Sequence, residues 1–234
     1  MWCKWGENMV NIIYEDNHIL VCVKPQNIPT QKDESGDMDM QTEIKEYLKE
    51  KYQKPGNVFV GIVHRLDRVT GGLMVFAKTS KAAKRLSEQI KSGEFKKSYL
   101  AVTNGILKQK KGTLVNYLKK DNFTNMVSLV SKTTPLAKEA KLDYEVISEK
   151  DGLSLLKINL HTGRSHQIRV QLRGVNAPIY GDHRYGFAKS GNLALWAYKL
   201  SFYHPTKNEK QTYIFLPPIE NPWNFFNKEI NNIK

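Results

Sequence analysis

The sequence predicts an α+β fold, and three observations point to it. Segments in which apolar and polar residues alternate recur along the chain, as half-buried strands require. Between them lie stretches with apolar residues at i and i+4, the spacing of one helical face. Hydrophobic residues make up 40% of the 234 positions, which supports a buried core and excludes gross disorder. That length suits one sizeable domain or two small ones, and the expectation is one domain over 1–234.

The elements follow in order. Residues 11–23 read as one or two strands around the Glu15-Asp16-Asn17 turn, and 25–39, polar with Pro, Gly and acidic residues, as a mobile loop. Ile44 and Leu48 mark an amphipathic helix over 40–51. Val58 to Val63 reads as a strand leading toward Asp67. Thr79 or Ser80 can cap a helix through Ile90, with Ala83, Leu86 and Ile90 on one face and Gly93 closing it. A strand restarts at Tyr99–Val102, and Leu156, Ile158 and Leu160 alternate with Lys157 and Asn159 in another. Ser165 suits an N-cap, Ile168 and Leu172 share a face, and Gly174 stops that helix. Residues 103–145, with the basic run Lys108-Gln109-Lys110-Lys111, give the least readable pattern. No internal repeat is evident.

Charge narrows the partners. With 36 basic against 23 acidic residues the formal net charge is +13, which makes nucleic acid the first candidate and an anionic membrane surface the second. A membrane binder of this kind would carry a basic amphipathic helix or a lipidation motif, and neither is found. No apolar run approaches bilayer length, and Met1-Trp2-Cys3-Lys4-Trp5 lacks a signal-peptide core, so a cytoplasmic location is expected. Cys3 and Cys22 make no disulfide framework and read as ordinary thiols in a reducing compartment.

Two segments concentrate chemistry. In His64-Arg65-Leu66-Asp67-Arg68-Val69-Thr70-Gly71-Gly72-Leu73 a single carboxylate lies between two arginines, before a Thr-Gly-Gly turn and an apolar run to Ala77. This suggests a reactive acid facing an anionic substrate; the plainer alternative is a surface Asp in a salt bridge. Downstream, Leu160-His161-Thr162-Gly163-Arg164-Ser165-His166-Gln167-Ile168-Arg169-Val170 gathers two arginines and two histidines beside a Thr-Gly turn, followed by Pro178-Ile179-Tyr180-Gly181-Asp182 and Tyr185-Gly186. Competing motifs fail. Thr70-Gly71-Gly72 lacks the Gly-Lys-Ser/Thr of a P-loop, no Gly-x-Ser-x-Gly elbow occurs, and a glycosidase would need a second carboxylate across the bond. His64, His161 and His166 find no Cys or carboxylate at zinc spacing, so no metal is expected, and His166 reads best as a hydrogen-bonded structural residue.

Taken with Lys97-Ser98-Tyr99-Leu100-Ala101 and the strand-then-Lys-Pro run Ile19–Pro25, these segments resemble the RluA-type family of RNA pseudouridine synthases. The family's HRLD signature is present, with Gly71 where serine is common. Its GR(T/S)HQIR signature is matched in full by Gly163–Arg169, and the likeness spans about residues 11–218. The resemblance implies a mixed, mostly antiparallel sheet with flanking helices and a central catalytic cleft holding Asp67. It implies isomerisation of a uridine in ribosomal or transfer RNA by a monomer with no obligate protein partner. The stretch before the first helix is too short for the separate S4 domain that some relatives carry, and Gly181-Asp182 resembles a structural turn of the family.

The reaction breaks the bond from ribose C1′ to uracil N1 and joins C1′ to C5, without net redox change, so one carboxylate can suffice and no cofactor is demanded. Asp67 has three roles open to it: attack on the sugar, attack on the base, or removal of a sugar proton. Each needs the ionised acid, and in a dry pocket that needs an arginine partner. The resemblance assigns this to Arg169, with Arg164 as the alternative, and Arg164 could equally bind phosphate. It implies that Arg65 fills the gap left by a flipped base; a phosphate clamp weighs equally. Tyr99 would stack on the uracil and relay a proton. Lys97 and His64 are assigned to substrate contact. Lys78, Lys81, Lys84, Arg85 and Lys91 could form a phosphate-tracking surface.

Overall fold

The computed structural model describes residues 10–188 and 191–233; Cys3 and the expectations on Met1–Trp5 lie outside them. In chain order the elements are β1 (Asn11–Glu15), β2 (Ile19–Lys24), α1 (Met40–Lys51), β3 (Gly61–Ile62), β4 (Gly71–Ala77), α2 (Ser80–Ser92), β5 (Lys96–Asn104), β6 (Lys111–Lys120), β7 (Val127–Val130), β8 (Lys138–Lys150), β9 (Leu153–Leu160), α3 (Gln167–Gly174), β10 (Leu195–Tyr203), β11 (Lys210–Ile214), a 3-10 turn (Trp223–Phe226) and α4 (Asn227–Asn231). They divide into two compact units. The first runs to Phe95 and takes in Lys199–Phe215; the second is Lys96–Tyr198 with the residues from Leu216 on.

In the first unit β1, β2 and β4 lie side by side in that order, and the Lys199–Tyr203 part of β10 pairs with β11. β2 lies antiparallel between β1 and β4. Every residue of β2 and of β4 is buried, which is why Ile19–Val23 and Leu73–Ala77 read as continuous apolar runs rather than alternations. The β1–β2 turn is tied by Asp16, whose Oδ1 accepts the backbone N–H groups of His18 at 2.8 Å and Ile19 at 2.9 Å. α1 is capped by Asp39 and buries Met40, Ile44 and Leu48. α2 is capped by Thr79 and closes at Gly93 in the left-handed region, but it buries Ala82 and Leu86; Ala83 sits half-buried at the flank. The strand expected over 58–63 shrinks to Gly61–Ile62, because the chain leaves β4 there to build the Asp67 loop. The Val60 carbonyl accepts instead from Gln41 Nε2 at 2.8 Å.

In the second unit the order is β5-β9-β8-β6-β7, antiparallel at every step. The illegible stretch 103–145 holds β6, β7 and much of β8. β6 buries only Leu118, so its lysine-bearing face hides the strand from an apolar count. Leu118, Val127, Ala140, Val170 and Tyr185 form a small core beneath the β6–β7 hairpin and α3. The N-cap of α3 is His166 (φ 51°), not Ser165, and no side chain caps it. Gly174 is helical rather than a stop: a Cβ there would lie 2.4 Å from Leu129 Cδ1, so glycine allows α3 to close on β7.

Candidate active site

Asp67 lies on the loop between β3 and β4, in the first unit. The turn is made by Asp67–Thr70, with Thr70 N–H donating to the Asp67 carbonyl at 2.9 Å; the glycine pair instead opens β4. Gly72, at φ 121°, takes the backbone from that turn into the ladder opposite Lys24. The rest of the loop hangs from its own carbonyls. Thr30 Oγ1 donates to Leu66 O at 3.0 Å, Gln26 Nε2 to Val69 O at 3.0 Å, and Lys24 Nζ to Arg68 O at 2.9 Å. Lys24 is fully buried, and its ammonium also donates to Pro25 O and Ile28 O, both at 2.7 Å. Burial pulls its pKa down to about 7, while the nearby Asp67 carboxylate pulls it back up. Lys24 thus sets the loop's shape and lies within electrostatic reach of the Asp67 carboxylate.

The side chains around Asp67 differ sharply. His64 is buried, accepts the Val75 N–H on Nε2 at 3.1 Å and packs its ring on Phe95, so it braces the loop against β4. Arg68 turns to the 25–39 segment, bonding Asp37 and Ser35 and lying 3.6 Å from Asp33. Arg65 is exposed and takes no hydrogen bond or ion pair among the described residues.

The other predicted residues belong to the second unit. Lys97 and Tyr99 share a face of β5, opposite Leu160 and Ile158 of β9. Beyond β9 the turn Thr162-Gly163-Arg164 is braced by the buried Gln167. Its Oε1 accepts from Thr162 Oγ1 at 2.8 Å and Arg164 N–H at 3.0 Å, and its Nε2 donates to Lys141 O at 3.1 Å. A Cβ on Gly163 would lie 3.2 Å from Lys97 Nζ, so the lysine stands directly over this turn; burial lowers its pKa. Arg164 is exposed and donates from Nε to Glu139 O at 2.8 Å. Tyr99 is buried, at 5% exposure.

Arg169 is buried in α3 and makes a two-pronged pair with Asp182, Nε to Oδ2 and Nη2 to Oδ1, both at 2.8 Å. Burial alone would raise the Asp182 pKa. The Arg169 fork and the N–H groups of Tyr185 and Arg184 outweigh that and hold it below the ordinary carboxylate range. The turn carrying Asp182 depends on Gly181, at φ 72°, where a Cβ would meet Asn192 O at 2.0 Å. The Tyr185 ring lies 5.0 Å from the Arg169 guanidinium. Tyr185 Oη accepts Val127 N–H at 2.9 Å and bonds His166 Nδ1 at 2.7 Å, which gives His166 the structural place its sequence context suggested.

Sequence reasoning missed the weight of Lys24, Asp182 and Tyr185. All three stood in the quoted segments, and a lysine directly after five apolar strand residues was the readable signal. The remaining basic groups sort by partner. Lys78 is held by Glu15 at 2.6 Å and Arg85 by Pro205 O at 2.6 Å, which leaves Lys81, Lys84 and Lys91 exposed on α2. Cys22 is buried and its thiol is pushed well up by that burial, so it is chemically quiet. Among the described residues no cluster of three metal ligands occurs, and no helix is long and apolar enough to cross a membrane.

The chain is similar to known proteins over most of its length. A family model described as RNA pseudouridylate synthase matches residues 18–173. An RNA pseudouridine synthase of Aquifex aeolicus is 34% identical over 92% of this chain and 71% of its own length. One of Bacillus subtilis is 35% identical over 88% and 67%. The ribosomal large subunit pseudouridine synthase C of Buchnera aphidicola is 30% identical over 88% and 66%, so the chain spans about two thirds of these relatives. The solved human RNA pseudouridylate synthase domain containing 4 has the same fold, with a TM-score of 0.75 at 21% identity, over 94% of this chain and 92% of that one. Human domain containing 1 gives 0.74 at 22% identity, over 93% and 88%. Its mostly antiparallel α+β fold, the match across both signature segments and relatives above the 30% level place one conclusion on this sequence: the chain belongs to the RNA pseudouridine synthase family of isomerases.

Proposed function

We propose that this protein converts specific uridines of structured RNA to pseudouridine, with Asp67 as the reacting acid. The observation that carries the reading is the Asp67 loop, whose anchors at Leu66, Arg68 and Val69 reach backbone carbonyls, so the carboxylate is presented by a frame built for it. The C1′–N1 bond breaks and a C1′–C5 bond forms, while C5 loses a proton and N1 gains one; no oxidant, metal or cofactor enters. Arg169 keeps Asp67 ionised in this reading, and Arg65, the uncommitted arginine of the signature, occupies the space left by the extruded base. Tyr99 stacks on the uracil. Lys97 and Arg164 contact the RNA backbone at the Thr162–Arg164 turn, and His64 supports substrate contact through the loop it braces. The protein acts as a single catalytic domain over 1–234, a monomer in the cytoplasm. Relatives named ribosomal large subunit pseudouridine synthases favour ribosomal over transfer RNA as its target.

The test is a pseudouridine map of ribosomal and transfer RNA from cells with and without the protein. A discrete site should vanish, return with the wild-type gene, and stay absent with Asp67→Asn. Identical maps, together with no pseudouridine formed by purified protein on RNA from the deletion strain, would overturn the reading.

A further inference from the structure

We propose that the β6–β7 hairpin is an RNA-contacting arm whose tip ring, Phe123, stacks on an unpaired nucleobase; the inference rests on RNA being the substrate. Phe123 is 99% exposed, the most exposed of the large apolar side chains among the described residues. A lone apolar residue at a surface is ordinary, but three features set this one apart.

The tip is pre-ordered. Asp121 N–H donates to Met126 O at 2.8 Å, and Asp121 Oδ1 accepts the N–H groups of Phe123 at 2.8 Å and Thr124 at 3.0 Å. Arg184 Nη1 donates to Asn125 O at 2.9 Å from outside the hairpin. A ring carried on a fixed turn loses little freedom when it stacks. The charge is also right. Lys119 and Lys120 end β6 exposed, Arg184 stands against the tip, and the turn's own carboxylate is committed to backbone N–H groups. Basic groups that follow the backbone, beside an aromatic face that any base can meet, are how single-stranded RNA is held without sequence preference.

The third feature is mechanical. The hairpin's return strand begins at Val127, whose N–H is held by Tyr185 Oη. Tyr185 packs on the Arg169 guanidinium, and its N–H donates to Asp182, which holds Arg169 by both prongs. The arm is therefore built on the same residues that fix Arg169, so RNA gripped at the tip is positioned with respect to that arginine.

The test measures binding of a short oligouridine strand and of a fully paired RNA duplex to the intact protein at several salt concentrations. Phe123→Ala removes no buried contact, so the variant folds. It should bind oligouridine roughly 5- to 100-fold more weakly with the salt slope unchanged, while duplex binding stays the same, and Phe123→Trp should restore affinity. Wild-type affinity in Phe123→Ala, or an equal loss on duplex, would overturn the proposal. So would a loss seen on intact ribosomal subunits but not on protein-free RNA, which would make the partner a protein. The readout needs no turnover: failure of the wild-type protein to form pseudouridine would count against the proposed activity and leave the stacking result standing.

Discussion

The acid and the arginine are held in opposite ways. In the first unit the Asp67 loop is anchored through backbone carbonyls, by Lys24, Gln26 and Thr30. In the second unit Arg169 is itself the anchor, a buried guanidinium locked to a buried carboxylate. The lesson is about what a substitution can report. On the proposed function, changing Asp67 removes the reacting acid and keeps the Lys24, Gln26 and Thr30 anchors, whereas changing Arg169 breaks the buried pair with Asp182. Asp67→Asn should lower single-turnover pseudouridine formation by several orders of magnitude while leaving RNA affinity near wild type, since phosphate contacts dominate binding. A binding titration beside the rate assay checks both. Substantial turnover in a clean Asp67→Asn preparation would remove the acid from the mechanism.

Arg169→Met should lose activity and about 3–5 kcal/mol of stability, because Asp182 is left buried without its cation. Denaturant titration separates the stability loss from the rate loss. A wild-type rate per folded molecule would move the partner role to Arg164.

The same contrast has a pH signature. Asp182 in the second unit has its folded pKa below 3.8, and Glu15 in the first is lowered to about 2 from 4.5: burial opposes its charge, but Lys51, Lys78, Tyr52 and Tyr47 all donate to it. A depressed carboxyl contributes stability that is complete above its unfolded pKa and is lost as pH falls through the folded one. Stability should therefore decline between pH 4.5 and 2, with Glu15 supplying the lower part. In Glu15→Gln the wild-type advantage should be largest above pH 4.5 and shrink toward pH 2. Denaturant midpoints across this range, compared with Asp182→Asn, show which unit dominates acid unfolding.

How much of this was legible follows the same physics. Buried strands announced themselves, since Ile19–Val23 and Leu73–Ala77 must be apolar on both faces. The caps of α2 were readable from Thr79 and Gly93. β6 and β7 were not, because strands wetted on one side, one with lysines at both ends and the other only four residues long, give too little apolar period to read. At the site, candidate residues could be named from the two signatures, but their attachments could not. The partnership of Arg169 with Asp182 joins residues on a helix and a later turn, and no local pattern encodes it. Gly174 likewise looked like a helix stop because its real constraint, Leu129, comes from a distant strand.

The smallest expected effect concerns the basic surface, where two runs that look alike in sequence part company. Lys110 and Lys111 already face Glu149 and Glu145, and Lys78 and Arg85 are bound within the fold. Lys81, Lys84 and Lys91 on α2 are exposed, and no hydrogen bond or ion pair engages them among the described residues. A lysine that already neutralises a carboxylate releases little counterion on meeting phosphate; an uncommitted one releases its full share. Lys84→Ala should thus lower the log–log salt slope of RNA binding by roughly 0.7–0.9, weakening affinity alike across unrelated RNAs, while Lys111→Ala should change the slope by much less. Equal slopes for the two variants would mean that the Glu145 pair opens when RNA binds and that both runs contact phosphate.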